Sequence, residues 1–111
     1  MNNILNIDGY KAVISFDPET EMFRGEFVDL NGGADFYATD VATLKEEAKT
    51  SLRIFLEECE RRGIEPKKQF SGKFVLRVSP ETHQAATLAA QASGVSLNQW
   101  AANVIAEAAA I

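Results

Sequence analysis

The sequence predicts an α+β protein: an N-terminal antiparallel sheet with a covering helix, then a strand followed by two short helices. Three observations predict this class. Short alternating stretches separated by turn residues precede residue 40, a helical apolar stripe occupies residues 44–62, and residues 72–111 open on an alternating strand. The chain of 111 residues is long enough for one ordinary domain, or for two small units whose cores are completed by oligomerisation.

The N-terminal sheet is predicted to have three strands. Residues 10–16, 23–30 and 34–38 form the strands, and Ala12, Ile14 and Phe16 mark the alternation of the first. Residues 17–20, Asp-Pro-Glu-Thr, and residues 31–33, Asn-Gly-Gly, supply the two turns. We therefore expect an antiparallel meander.

A long helix is predicted over residues 44–62, with Thr43 and Glu46 as a capping box at its start and Gly63 at its end. Residues 64–71 contain a proline and two lysines and are unsuited to continuing the helix. These features predict a domain over residues 1–63, a linker over 64–71 and a second domain over 72–111.

The second domain opens with residues 72–78, Gly-Lys-Phe-Val-Leu-Arg-Val. A strand places Lys73, Val75 and Arg77 on one face and Phe74, Leu76 and Val78 on the other. The segment offers this strand no partner, so a second copy of the chain is expected to supply it. Two such strands form a ribbon narrow enough for the major groove of DNA.

Two helices follow the strand. Ser79 is the predicted N-cap of the first, with Pro80 at its first position, and Gly94 is expected to end it. Ser96 and Gln99 form a capping box, so the second helix begins at Leu97. Its apolar face includes Trp100, Val104 and Ile105 and is too wide for this unit to cover alone.

Strand, helix, glycine turn and helix within about forty residues resemble the ribbon-helix-helix DNA-binding domain of bacterial repressors. The opening strand together with residues 94–100, Gly-Val-Ser-Leu-Asn-Gln-Trp, is similar to the form at the C-terminus of HicB family antitoxins. The resemblance extends upstream through residues 10–16, 23–27 and 59–74. It implies that the N-terminal domain is a truncated ribonuclease-H-like fold that binds a toxin.

The resemblance also implies roles and partners. The base-reading residues would be Lys73, Val75 and Arg77, with Val75 touching at most a thymine methyl. Phosphate would be held by Ser96, Leu97 and Asn98 at a helix N-terminus. The dimer core would comprise Phe74, Leu76, Val78, Trp100, Val104 and Ile105. The expected partners are operator DNA, a HicA-like toxin that cleaves messenger RNA, and a second copy of the chain, with pairing into a tetramer left open.

Charge is divided unevenly along the chain. Residues 1–71 contain nine Lys and Arg against fourteen Asp and Glu, whereas residues 72–111 contain two of each. The acidic half suits a basic protein partner, although a merely solubilising surface explains it equally well. No stretch of membrane-spanning length, no signal peptide and a single cysteine predict a cytoplasmic protein.

Catalysis is not expected. Ribonuclease-H-type chemistry needs carboxylates converging on two metal ions, and the candidates mostly lie at predicted turns, which explain them without a metal: Asp8, Asp17, Asp29, Asp35 and Asp40. The single His83 and single Cys59 have no zinc-ligand or nucleophile spacing. No metal or cofactor is predicted. A second hypothesis stays open: a solitary ribbon-helix-helix transcriptional regulator whose N-terminal domain binds another partner.

Overall fold

The computed structural model describes residues 3–110 and divides the chain into two compact units, Met1–Ser71 and Gly72–Ile111. The first unit contains an antiparallel sheet and one helix, and the second contains two helices. The α+β class is therefore confirmed. None of the helices in the described part of the chain is both long and apolar enough to cross a membrane.

The sheet has four strands in the order β1-β2-β3-β4: Ile4–Ile7, Tyr10–Asp17, Met22–Phe27 and Asp35–Ala38. The prediction of three strands is wrong, because β1 precedes the first predicted strand. Asp8 and Gly9 join β1 to β2 with φ of 52° and 87°, the positive values that a tight two-residue hairpin needs. The Asp-Gly pair is the signal that identifies this hairpin, since Ile4–Ile7 has one polar residue and shows little alternation.

Helix α1, Val41–Arg62, covers part of the sheet and begins earlier than predicted. Asp40 is its N-cap: the carboxylate accepts hydrogen bonds from the Thr43 backbone N–H at 2.7 Å and from the Thr43 hydroxyl at 2.9 Å. The predicted capping box at Thr43 and Glu46 is wrong because Asp40 already satisfies the first turn. Gly63 ends the helix in the left-handed conformation, as predicted.

The core of this unit lies between α1 and one face of the sheet, and it includes Ile7 of β1 and Ala12 of β2. Phe27 and Phe36 pack with ring centroids 5.4 Å apart, and both lie under the helix with its buried Leu44, Ala48 and Leu52. Burial of this apolar surface is the main stabilising contribution to the unit.

The segment that follows Gly63 belongs to the first unit and is hydrogen-bonded to other parts of it. The backbone N–H of Asn31 donates to the Pro66 carbonyl at 2.8 Å, and that of Lys68 donates to the Asp29 carbonyl at 2.9 Å. Lys67 also lies over the Tyr10 ring, with its Nζ 5.0 Å from the ring centroid. Much of the predicted linker is therefore hydrogen-bonded to the rest of the first unit.

The second unit consists of α2, Pro80–Ala92, and α3, Leu97–Ala109, and the helix starts are as predicted. The Ser79 and Ser96 hydroxyls cap them by accepting from the backbone N–H groups of Thr82 and Gln99. The capping box at Ser96 is only half made, because the Gln99 amide donates instead to Asn103 at 2.8 Å.

Candidate nucleic-acid interface and protein-binding surface

The predicted ribbon segment, residues 72–78, forms no helix and no strand ladder in the single chain. A strand needs a hydrogen-bonded neighbour, so the ribbon stays a prediction that only a second chain can realise. Phe74 is 72 % exposed and Leu76 is 63 % exposed. Apolar side chains of this size are normally inside a protein, and here the single chain has not covered them.

The segment lies beside the start of α3. Lys73, Phe74 and Leu76 line one shallow hollow together with Ser96 and Asn98. The structure therefore brings one predicted base-reading residue and two predicted phosphate-binding residues into the same area. Val75 and Arg77 are exposed and lie outside that lining, and Leu97 is half-buried at the first turn of α3. Lys73 and Phe74 both line this hollow, whereas a regular strand would place their side chains on opposite faces.

The N-terminus of α3 is where the sequence predicts phosphate binding. Ser96 Oγ accepts from the Gln99 backbone N–H at 3.1 Å, which satisfies one of the first N–H groups of the helix. The N–H groups of Leu97 and Asn98 have no acceptor within the helix, as at every helix start. Together with the positive end of the helix dipole, they could bind a phosphate oxygen.

The predicted dimer core is incompletely covered. Val78, Val104 and Ile105 are all at least 40 % exposed, and Trp100 is half-buried. Ala90 is the only residue of α2 that is buried, and α3 has none. Two Ala-rich helices therefore leave most of this apolar set in water.

On the first unit, the sheet face opposite α1 carries an ion-pair cluster centred on Arg24. The guanidinium donates to the Tyr37 hydroxyl at 3.2 Å, to Glu26 at 3.0 Å and to Asp35 at 2.6 Å. The hydrogen bond to Tyr37 and those to the two carboxylates raise the pKa of Arg24 above its ordinary value. The strand register explains the cluster, since Arg24 pairs with Tyr37 and Glu26 with Asp35.

This cluster is a feature that the sequence-based prediction did not identify. Its signal is the period of two that places the side chains of residues 24, 26, 35 and 37 on one sheet face. On these two strands Gly25, Phe27, Phe36 and Ala38 point the other way and are buried under α1.

The carboxylates considered for metal chemistry are dispersed over the unit. Asp40 caps α1, which lowers the pKa of its carboxyl through the hydrogen bond from the Thr43 backbone, and Asp17 Oδ1 accepts from the Glu19 backbone N–H at 3.0 Å. Asp35 belongs to the Arg24 cluster. Within residues 3–110, no group of three or more His, Cys, Asp or Glu side chains could hold a metal ion. His83 is exposed, and Cys59 is a buried free thiol.

In a comparison with known families, residues 55–105 match the model of the HicB family. The matched region runs from the last turns of α1 through the ribbon segment and α2 into α3, so this part of the chain is similar to the HicB family. The comparisons with curated proteins and with solved structures each found no match.

Proposed function

We propose that this protein is the antitoxin of a type II toxin–antitoxin system, acting in the cytoplasm. It binds and neutralises a HicA-like toxin that cleaves messenger RNA, and it represses its own operon as a ribbon-helix-helix dimer. The observation that carries the proposal is the ribbon segment: residues 72–78 alternate basic and apolar side chains, lie exposed, and fall inside the region that matches the HicB family.

Dimerisation is supported by what the single chain leaves uncovered. Pairing of residues 72–78 with the same residues of a second copy would form a strand ladder between the two chains and place Phe74, Leu76 and Val78 over a shared core. The α3 residues Trp100, Val104 and Ile105 would join that core. Burying several large apolar side chains contributes about 1.5 to 3 kcal/mol each, which is sufficient to drive association of small units.

DNA recognition then follows from the opposite face of the ribbon. Antiparallel pairing would bring two copies each of Lys73, Val75 and Arg77 to one surface, where Arg can donate two hydrogen bonds to guanine. The N-terminus of α3, with Ser96, Leu97 and Asn98, would hold the phosphate backbone and fix the register. The neutral charge of residues 72–111 predicts weak non-specific binding, because few phosphates are neutralised.

Toxin binding is assigned to the first unit. Its acidic surface suits a basic ribonuclease, since opposite net charges speed encounter and select orientation. A truncated ribonuclease-H-like origin of this sheet and helix is part of the same proposal, and the unit is given no catalytic role.

The alternative is a solitary regulator whose first unit binds a different partner. The extent of the family match supports this alternative, because the match covers residues 55–105 and all four strands of the sheet lie outside it. A neighbouring gene for a small basic protein with one catalytic histidine would favour the antitoxin. Its absence would favour the solitary regulator.

Operator binding by an Arg77→Ala variant tests the ribbon. We expect a loss of about 1 to 3 kcal/mol in binding to a palindromic operator and relaxed sequence preference, measured by fluorescence titration at fixed salt. Arg53→Ala is the matched control, because it removes an equal charge from an exposed position on α1. Unchanged specific binding by Arg77→Ala would show that another surface reads the DNA.

A further inference from the structure

Helix α1 leaves part of one sheet face open. It packs mainly on β4 and reaches β3. A helix with its side chains is about 10 Å wide and neighbouring strands lie about 4.8 Å apart, so one helix covers roughly two strands. Ile7 and Ala12, at one end of β1 and β2, are buried in the core. The more open part of the sheet face is therefore the other end of these strands, at Leu5, Ile14 and Phe16.

An apolar groove lies at this open end of the sheet face. It is formed by side chains of β1, β2 and β3 together with the first turn of α1: Leu5, Ile14, Phe16, Phe23, Val41 and Leu44. Phe16 and Phe23 face each other across the strands and pack edge to face with ring centroids 5.8 Å apart. Phe16 is nevertheless 57 % exposed and Val41 58 % exposed. Exposed aromatic and aliphatic side chains grouped in one concave surface are typical of a protein-binding site.

The charges around the groove favour a basic occupant. The hairpin that joins Phe16 to Phe23 contains Asp17, Glu19 and Glu21 and no lysine or arginine. Asp17 holds the turn through the Glu19 backbone N–H, and Glu19 and Glu21 are both exposed. Lys45 is the one basic residue in the lining, on the α1 side. The hairpin end of the groove thus carries an excess of negative charge.

This charge pattern does not fit a second copy of the chain. The amphipathic helices with uncovered faces are α2 and α3, and neither contains a lysine or an arginine. The apolar side of α1 is already used against its own sheet. A helix that complements both the apolar floor and the acidic end must come from a different, basic protein.

We propose that this groove binds an amphipathic helix of the basic protein partner, with the apolar stripe of that helix packed on Phe16, Phe23 and Val41. Lysine or arginine side chains near one end of the bound helix meet the acidic hairpin. The partner's helix lies beside α1 and completes the helical layer over the sheet. This inference rests on the proposed function only in identifying the basic partner as the toxin.

A titration of the full-length, ¹⁵N-labelled protein with a synthetic 18-residue Leu/Lys amphipathic helix tests the groove directly. We expect chemical-shift changes concentrated at residues 14–16, 23 and 41–45, and binding that weakens as salt is raised. A Leu/Glu peptide of the same length and pattern should have an affinity at least about tenfold lower. Equal binding of both peptides, shifts confined to other residues, or cross-peaks between two copies of the chain across the groove would overturn the proposal.

Two variants and a matched control locate the effect. Phe16→Glu and Val41→Glu should each weaken binding of the Leu/Lys peptide by about tenfold or more, since each puts a charge on the apolar floor. Ile54→Glu is the control, because Ile54 has the same 57 % exposure as Phe16 but lies outside the groove. Retained binding by both groove variants, or an equal loss in Ile54→Glu, would contradict the assignment.

Growth rescue separates this inference from the proposed function. Full-length wild-type protein is co-expressed with the basic toxin encoded beside it, and Phe16→Glu and Ile54→Glu are compared with it. Rescue by wild type and Ile54→Glu but not by Phe16→Glu supports both proposals. Rescue by all three overturns the groove and leaves the antitoxin function standing. No rescue by wild type overturns the antitoxin function, and the peptide titration then decides the groove by itself.

Discussion

Gly25 stands in the middle of β3 because the Phe36 ring lies directly over it. A side-chain Cβ at Gly25 would come within 2.1 Å of that ring, far closer than carbon atoms approach in proteins. The glycine weakens the strand intrinsically, yet it lets Phe36 pack against the sheet under α1. The absence of a side chain at Gly25 therefore allows the close packing of Phe36 in the core between the sheet and α1.

Gly25→Ala should destabilise the first unit by about 1 to 3 kcal/mol or more, because Phe36 must leave its packed position to admit a methyl group. Chemical denaturation of the full-length protein measures the change. Gly33→Ala is the control, since a Cβ there meets nothing within 4 Å and its φ is not positive. A stability loss in Gly33→Ala as large as that in Gly25→Ala would contradict the packing argument.

Asp40 links the stability of α1 to pH. The hydrogen bonds from Thr43 hold the pKa of the Asp40 carboxyl below its ordinary value, about 3.9 in an unstructured peptide. A lowered folded-state pKa means that the cap stabilises fully above about pH 4, and that this stabilisation is lost as pH falls through the folded-state pKa.

Asp40→Asn keeps a side-chain oxygen at the cap and removes the titration. Its stability, followed by circular dichroism between about pH 2 and pH 6, should therefore fall less steeply in acid than that of the wild type. Some acid dependence will remain, because the hydrogen bond from Arg61 also lowers the pKa of Glu58. Identical pH profiles for the two proteins would show that titration of Asp40 does not contribute to the pH dependence of stability.

At the scale of elements, local chemistry predicted the helices better than the sheet. Gly63, Ser79 and Ser96 act where the sequence placed them because capping depends on neighbouring residues alone. Strand β1 was missed because a four-residue strand is defined mainly by its pairing with β2. In α2 Ala90 is buried while Leu88 is 69 % exposed, since the position of α3 decides which side of α2 is covered in the single chain.

The two serine caps allow a test of the phosphate site at the N-terminus of α3. Ser79→Ala and Ser96→Ala each remove a side-chain acceptor for one helix N–H and should each cost about 0.5 to 2 kcal/mol of stability. Only Ser96→Ala should also weaken DNA binding, and it should do so equally for specific and unrelated sequences, because phosphate contacts carry no sequence information. Equal effects of both variants on DNA binding would exclude a special role for α3.

At the scale of the whole molecule, the two units are completed in different ways. The first has a buried core of its own, which sequence periodicity could predict. The second was predicted as an incomplete unit, and in the single chain residues 72–78 form no strand while Val104 and Ile105 stay at least 40 % exposed. The groove was not predictable, since it depends on which part of the sheet α1 covers.

The final prediction concerns the missing core of the second unit and uses two valines that are equally exposed in the single chain. Val78 is 50 % exposed in the ribbon segment and Val28 is 51 % exposed in the first unit. If dimerisation buries Val78, Val78→Asp places a charge in an apolar interface and should shift the full-length protein from dimer to monomer at low micromolar concentration. Val28→Asp should leave the assembly unchanged. Sedimentation velocity across a concentration series measures both, and a Val78→Asp variant that sediments as the wild-type dimer would show that the ribbon segment is not the interface.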